Sequence, residues 1–163
     1  MTEPHPILDL ARRIVDKAGA DGMMIATAES CTGGMVSGAI TDVPGASAVF
    51  ERGFVTYSNE AKSDLLGVAP DLIRRFGAVS REVAVAMAAG ALSNSRADVA
   101  VSVTGIAGPT GGSTAKPVGL VWFALAARSE GVRVEQRVFS AGDRAFVRQK
   151  ATQTALRLLL SGL

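Results

Sequence analysis

Apolar and polar positions recur along the chain with two different periods, and these periods predict a series of helices and strands. From Pro6 to about Ala20 the apolar residues Ile7, Leu10 and Ile14 fall three to four positions apart, which is the spacing of a helix that buries one face. The continuous apolar runs at 23–28 and 118–127 are instead typical of buried strands. Strand and helix patterns alternate along the chain, and this order indicates an α/β sheet.

The predicted elements follow one another without a repeat, a low-complexity tract or a domain linker. Helices are predicted at 6–20 (Gly19 as its stop), 33–41, 58–66, 70–76, 81–94 (capped by Ser80) and 143–160 (capped by Asp143). Strands are predicted at 23–28, 50–57, 98–104, 118–127 and 132–140, the last two joined as a β-hairpin. We therefore expect one domain over residues 1–163, a three-layer α/β/α sandwich with a mixed β-sheet.

Composition indicates a globular domain and argues against several other classes of protein. The 163 residues are 48% hydrophobic and 20% charged, as in globular domains and unlike disordered chains. The net charge of +2 is too small to predict a nucleic-acid partner. No apolar run approaches the roughly 18 residues of a membrane span, and residues 1–6 lack the layout of a signal peptide. We therefore expect no membrane partner and a cytoplasmic location.

Cysteine and histidine are scarce. The chain has one cysteine and one histidine, so neither an intrachain disulfide nor a structural zinc site is expected. A magnesium site can be built from carboxylates alone, so the scarcity of cysteine and histidine does not exclude one. We predict no metal and no cofactor.

The junction of the first strand with the second helix carries the most informative residues, Ala-Glu-Ser-Cys-Thr-Gly-Gly at 28–34. It places two potential nucleophiles, Ser30 and Cys31, beside backbone N–H groups of a helix start, which stabilise phosphates and oxyanions. The N–H groups of Cys31, Thr32, Gly33 and Gly34 are the predicted donors. In the alternative interpretation, Ser30 or Thr32 merely caps the helix.

A serine hydroxyl needs a base to act as a nucleophile. His5 lies far from Ser30 in sequence, in the N-terminal segment, so a Ser-His-Asp triad fits poorly. Lys62, just beyond the second predicted strand, is the candidate base if burial lowers its pKa. The phenol of Tyr57 is a candidate donor to a developing charge. The alternative for Lys62 is a solvated surface lysine.

Two further segments are candidates for substrate binding. The glycine-rich stretch 104–117 follows a strand, where ligand loops of α/β domains lie, and Thr104, Gly105 and Gly108 could bring donors close to a phosphate. It matches no P-loop, and a plain flexible loop is the alternative. Arg144 and Arg148 are spaced to share one helix face and grip an anion, or simply to face solvent.

Four aromatic residues are predicted to belong to the core rather than to a ligand platform. Trp122 and Phe123 lie within an apolar predicted strand, and Phe50 and Phe54 lie within a strand rich in β-formers.

Together these segments resemble the CinA C-terminal domain family, whose enzymatically active members are nicotinamide-nucleotide amidases. The resemblance spans nearly the whole chain. It rests on AESCTGG at 28–34, TYSNEAK at 56–62, LLGV at 65–68, AVSREVAVAMA at 78–88, VTGIAGPTGG at 103–112, KPVGLV at 116–121 and GDRAFVRQKA at 142–151. Many relatives carry a large N-terminal domain as well, so this chain is similar to the stand-alone form.

The resemblance implies hydrolysis of the carboxamide of nicotinamide mononucleotide to nicotinate mononucleotide and ammonia. It makes Ser30 the nucleophile and Lys62 the general base, and it makes a homodimer plausible. Three alternatives stay open: an amidase with Cys31 as nucleophile, a catalytically inactive nucleotide-binding or interaction module, and a nucleic-acid binder. The near-neutral charge argues against the last of these.

Overall fold

A computed structural model describes residues 5–163 of the chain, which form one mixed five-stranded sheet in the order β2-β1-β3-β4-β5. β1 is parallel to both β2 and β3, whereas β4 runs antiparallel to β3 and β5 to β4. This confirms the predicted mixed sheet and the hairpin of its last two strands. The start of the predicted domain, residues 1–4, lies outside the described residues.

Most predicted elements are present with shifted ends. The helices are α1 (Pro6–Asp21), α2 (Met35–Thr41), α3 (Asn59–Leu66), α4 (Pro70–Phe76), α5 (Arg81–Ser93) and α6 (Arg144–Leu160). The strands are β1 (Ile25–Glu29), β2 (Phe50–Val55), β3 (Val99–Gly105), β4 (Leu120–Ala127) and β5 (Gly131–Val138), and a 3-10 turn covers Ala46–Ala48. Ser80 and Asp143 cap α5 and α6 with their side chains as predicted.

Gly19 does not end the first helix, contrary to the prediction. The helix continues to Asp21 and ends at Gly22, which adopts a left-handed conformation (φ 65°) and donates its N–H to the carbonyls of Ala18 and Gly19. Such a termination needs one glycine at the position after the last turn. The sequence contains two glycines near this helix end, Gly19 and Gly22, and the helix ends at the second.

The second helix begins at Met35, two residues later than predicted, because Gly33 (φ 59°) and Gly34 (φ 101°) are left-handed. β1 also extends one residue further than predicted, through Glu29. Ser30 is therefore the first residue after a central strand, and a turn of four residues separates it from the helix proper.

Both faces of the sheet are covered, which gives the predicted three layers. α1, α2 and α6 pack on one face, where Val99, Val101 and Val103 of β3 point. On the other face α5 packs over alanines of β1 and β3. The four predicted core aromatics, Phe50, Phe54, Trp122 and Phe123, all pack in these two clusters.

Gly90 brings α5, which packs on the sheet, close to the end of a neighbouring helix as well. A Cβ at Gly90 would collide with the backbone of Leu66, the last residue of α3. The missing side chain lets α5 approach α3, which carries Lys62.

The parallel strands end together at one edge of the sheet. Glu29 pairs with Val55 of β2 and with Val103 of β3, so the residues that follow these strands converge. The chain passes from β1 to β2 through α2, and from β2 across β1 to β3 through α3, α4 and α5. Crevices that bind ligands in α/β folds lie outside the carboxyl ends of the parallel strands.

Among residues 5–163, no helix combines the length and the apolar character that a membrane span requires.

Candidate active site

Ser30 and Lys62 meet at the edge of the sheet where the parallel strands end. The backbone N–H of Ser30 donates to the carbonyl of Val103 (2.9 Å), which fixes the residue at the end of β1. Nζ of Lys62, from α3, lies 3.0 Å from Oγ of Ser30. The lysine is only 1% exposed, so its interpretation as a solvated surface residue is wrong.

Burial moves the protonation equilibrium of Lys62 toward the neutral amine, and the contacts of Nζ leave its lone pair for Ser30. Nζ donates to the carbonyl of Thr56 (2.8 Å) and lies 3.4 Å from the carbonyls of Tyr57 and Ser58. Carbonyls only accept, so the hydroxyl of Ser30 is the neighbour that can donate to Nζ. Burial lowers the pKa of Lys62 from its ordinary value of 10.5, because a buried ammonium loses its hydration. The pair therefore has the geometry of a nucleophile and its base.

Cys31 lies beside Ser30 but is poorly suited to nucleophilic attack. Its side chain is buried, and this burial raises the pKa of the thiol to about 12, although the cation of Arg148 acts in the opposite direction. The thiolate is the reactive form of cysteine. At neutral pH Cys31 is thus an uncharged thiol.

Neither Ser30 nor Thr32 caps α2, so the capping alternative is wrong. The N-cap is Gly34, which has no side chain. The hydroxyl of Thr32 instead donates to the carboxylate of Glu29 (2.7 Å), and the same carboxylate accepts the N–H groups of Val36 and Ser37 (2.8 and 3.0 Å). The first free amides of the helix are therefore already occupied.

Other amides of the same turn remain available. The N–H of Gly33 donates to the carbonyl of Ser30 (3.0 Å). Within residues 5–163, no backbone carbonyl accepts from the N–H groups of Cys31 and Thr32. Of the four amides predicted from the sequence, the one at position 33 is occupied, and those at 31 and 32 flank the nucleophile candidate most closely.

A cavity of about 280 Å³ opens over the pair. Its lining comprises Ser30, Cys31, Tyr57, Asn59, Lys62, Ala78, Val79, Thr104, Gly105, Ile106, Ala107, Gly108, Thr110, Gly111 and Arg144. Ten predicted site residues other than the pair were expected to approach the substrate, and six of them line the cavity: Cys31, Tyr57, Thr104, Gly105, Gly108 and Arg144. Thr32, Gly33, Gly34 and Arg148 lie outside this lining.

The glycine-rich loop forms one wall of the cavity and is tied down at several points. The hydroxyl of Thr104 donates to the carbonyl of Ala78 (2.8 Å) and thus serves the fold as well as lining the cavity. Nζ of Lys116 donates to the carbonyl of Phe76 (2.5 Å). These contacts hold the loop against the segment between α4 and α5, which distinguishes it from a plain flexible loop.

The two predicted arginines have different roles in the structure. Nη1 of Arg144 donates to the carbonyl of Gly108 (2.9 Å) and its Nη2 to the phenol of Tyr57 (2.8 Å), whose side chain is 60% exposed. Arg148 donates to the carbonyls of Cys31 (3.1 Å) and Thr32 (3.2 Å). Arg148 thus supports the turn after Ser30, and Arg144 stands at the rim of the cavity.

A second cavity of about 600 Å³ adjoins the first. The two share Ala107 and Arg144, and Arg148 lines the second one. Arg144 is consequently placed to contact a ligand that extends from Ser30 into the neighbouring space.

Sequence reasoning missed Glu29, Asn59 and Lys116. The signal for Glu29 was a charged residue at the end of an otherwise apolar strand, directly before the nucleophile candidate. His5 caps α1 through Nδ1, which accepts from the N–H of Leu8 (3.2 Å), and it does not line the cavity.

Known proteins resemble this chain over nearly its whole length. The sequence pattern of the CinA C-terminal domain matches residues 7–163. The chain is 53% identical over 154 residues to the nicotinamide-nucleotide amidohydrolase PncC of Escherichia coli K12, covering 94% of this chain and 92% of that protein. The crystal structure of the competence/damage inducible protein CihA from Agrobacterium tumefaciens superposes with a TM-score of 0.95, at 50% identity, over 99% and 98% of the two chains.

Proposed function

The chain belongs to the CinA C-terminal domain family, and we propose that it is an amidohydrolase that converts nicotinamide mononucleotide to nicotinate mononucleotide and ammonia. The observation that carries the proposal is the buried Nζ of Lys62 at 3.0 Å from Oγ of Ser30, on the floor of a cavity. The name of the Escherichia coli relative, at 53% identity over most of both chains, supports the substrate class.

In the proposed acylation step, Ser30 attacks the carboxamide carbon while the neutral amine of Lys62 accepts the hydroxyl proton. The tetrahedral intermediate carries its negative charge on the former carbonyl oxygen. The N–H groups of Cys31 and Thr32 are the proposed donors to that oxygen. The ammonium of Lys62 then protonates the departing nitrogen, and the C–N bond breaks to release ammonia and leave a nicotinoyl ester on Ser30.

Deacylation uses the same groups in reverse. Lys62 is again neutral after ammonia has left, and it accepts a proton from a water molecule that attacks the ester carbon. The ester bond breaks, and the proton returns from Lys62 to Oγ of Ser30. Tyr57 and Arg144, which bind each other at the rim of the cavity, are the proposed contacts for the phosphoribosyl part of the substrate.

The direct test is ammonia release from nicotinamide mononucleotide by the purified protein. Turnover with stoichiometric formation of nicotinate mononucleotide supports the amidase. Saturable binding of the nucleotide by a folded protein, with no ammonia above the buffer blank, would replace it with a binding module. The expected homodimer and cytoplasmic location stay predictions, which sedimentation of the purified protein and cell fractionation test.

Replacing Cys31 with alanine should leave ammonia release within about threefold of the wild-type rate, since a neutral buried thiol supplies no thiolate. The measurement is kcat/KM for nicotinamide mononucleotide, with thermal unfolding to show that the variant is folded. Loss of turnover in a folded Cys31→Ala variant, with turnover retained in Ser30→Ala, would transfer the nucleophile to Cys31.

Replacing Arg144 with methionine should raise KM about 10- to 100-fold with a smaller change in kcat, because a charge-assisted hydrogen bond to the phosphate is lost. Nicotinamide riboside, which lacks the phosphate, should show a much smaller increase. Arg157→Met removes an exposed positive charge from the same helix and should change neither KM. An equal loss for nucleotide and riboside would show that Arg144 does not bind the phosphate.

A further inference from the structure

Glu29 is a buried charge that the proposed chemistry does not use. It is the last residue of β1, its side chain is 0% exposed, and it directly precedes Ser30. An unpaired carboxylate in such a place is costly, so buried carboxylates are held by several donors.

All four donors come from the turn and helix that follow the nucleophile. Oε1 accepts from the hydroxyl of Thr32 (2.7 Å) and the N–H of Val36 (2.8 Å). Oε2 accepts from the N–H (3.0 Å) and the hydroxyl (2.7 Å) of Ser37. Each carboxylate oxygen therefore serves two donors, and one side chain fixes the turn of residues 30–34 and the start of α2.

This carboxylate replaces the cap that α2 lacks. Gly34 stands at the N-cap and has no side chain to offer. The negative charge of Glu29 meets the positive end of the helix and takes two of its free amides. The amides of Cys31 and Thr32, which precede the helix, are left for an oxyanion.

The backbone of Glu29 connects the same residue to the base. Its carbonyl accepts from the N–H of Thr56 (2.8 Å), and the carbonyl of Thr56 accepts from Nζ of Lys62 (2.8 Å). The side chain of Glu29 thus sets the turn that carries Ser30, while its main chain holds the segment that orients Lys62.

We propose that Glu29 is a positioning residue that holds Ser30 at attacking distance from Lys62 and aims the adjacent amides at the reacting carbonyl. The inference rests on the proposed amidase function for its substrate. It predicts that the charge of Glu29 matters for the chemical step more than for substrate affinity, since the carboxylate does not line the cavity.

Glu29→Gln tests the proposal with little change of shape. In either orientation the amide nitrogen of glutamine faces one backbone N–H and one hydroxyl, so the hydrogen bond from that N–H is lost and the hydroxyl must turn to accept. We expect kcat to fall about 100-fold or more, with KM within about threefold of the wild-type value, because small displacements of reacting groups have effects of that size.

Asp98→Asn is the matched control. Its carboxylate accepts the N–H of Met24 (2.8 Å) near the opposite end of β1, and we expect wild-type kcat. Both variants are assayed well below their melting temperatures. Ser30 is also labelled with phenylmethylsulfonyl fluoride and followed by intact mass, which measures its nucleophilicity without the natural substrate. Glu29→Gln should be labelled at least about tenfold more slowly than wild type, because Ser30 is displaced from Lys62 in the variant.

Thr32 provides a second test if Glu29→Gln does not fold. Thr32→Val removes one donor to Oε1 and should lower kcat about tenfold, whereas Thr32→Ser keeps the hydroxyl and should restore it. Wild-type kcat in folded Glu29→Gln overturns the proposal, as does equal activity of the valine and serine variants at position 32.

The labelling separates this proposal from the proposed function. If the wild type does not hydrolyse nicotinamide mononucleotide, the function fails, and the labelling rates decide alone: slower labelling of Glu29→Gln supports positioning, and equal rates overturn it. A wild type that neither turns over nor is labelled at Ser30 also overturns it, because there is then no activated nucleophile to position.

Discussion

Replacing Ser30 with alanine should lower ammonia release from nicotinamide mononucleotide by at least about 10⁴-fold, because the acyl-enzyme cannot form without the hydroxyl. The fold should survive, since the removed oxygen contacts Nζ of Lys62 and the N–H that anchors the residue to β3 belongs to the backbone. Substrate binding should persist within about threefold, because the hydroxyl acts on the transition state more than on the bound substrate.

Two measurements check that Ser30→Ala is inactive because it lacks the nucleophile. Ser102→Ala removes a buried hydroxyl of β3 that donates to the carbonyl of Ala84 (2.7 Å), and it should keep wild-type turnover at temperatures where it is folded. Acid-quenched wild-type reactions should contain a nicotinoyl adduct on Ser30 by mass spectrometry. More than a tenth of the wild-type rate in folded Ser30→Ala would exclude Ser30 as the nucleophile.

The sequence predicted the ends of strands better than the contacts across them. An apolar run followed by Ser-Cys-Thr-Gly-Gly was enough to place Ser30 at the end of a buried strand. Its contact with Lys62, 32 positions later, depends on the parallel pairing of β1 with β2 in the register that joins Glu29 to Val55. No local pattern specifies that register, so the lysine alone was indistinguishable from a surface residue.

Arg144 and Arg148 show a different limit of prediction from the sequence. Their spacing correctly indicates neighbouring positions on one helix, because helical geometry is local. The partner of each guanidinium is set by the orientation of distant carbonyls. Arg148 is engaged by those of Cys31 and Thr32, whereas Arg144 reaches Gly108 and the phenol of Tyr57. Only the folded chain separates a residue that supports the turn from one that faces the cavity.

Glu29 was missed for a related reason. A glutamate at the predicted end of a strand is ordinarily a solvated residue, and charged side chains are rarely buried without partners. Its partners arise from the left-handed glycines at 33 and 34, which start α2 late and leave its first amides without a cap. Glu29 is buried by its place in a central strand, and the turn geometry, which the sequence did not reveal, supplies its donors.

Replacing Lys62 with methionine should reduce kcat about 10²- to 10⁴-fold, the usual contribution of a positioned base. In the proposed mechanism the nucleophile and its base act as a unit, so Ser30→Ala with Lys62→Met should be no slower than the slower single variant. The acid limb of the wild-type profile of kcat/KM against pH should report the protonation of Lys62, and in the residual activity of Lys62→Met that limb should disappear. Retention of the limb would assign it to another group.

The same substitution should change how stability depends on pH. Burial lowers the pKa of Lys62 in the folded protein below the 10.5 of the unfolded chain, so the unfolded state binds more protons between those two values. The free energy of unfolding contributed by Lys62 therefore rises with pH across that window and is lowest below the folded pKa. Urea unfolding of wild type and Lys62→Met from pH 7 upward measures the difference. Cys31 has the opposite slope, because its raised pKa favours the folded thiol. It is present in both proteins, so most of its contribution cancels, apart from its weak coupling to Lys62. Lys17→Met removes an exposed lysine beside Asp21 and should keep the wild-type rise of the free energy of unfolding with pH. If the same rise persists in Lys62→Met, the buried amine is not neutral in the folded protein.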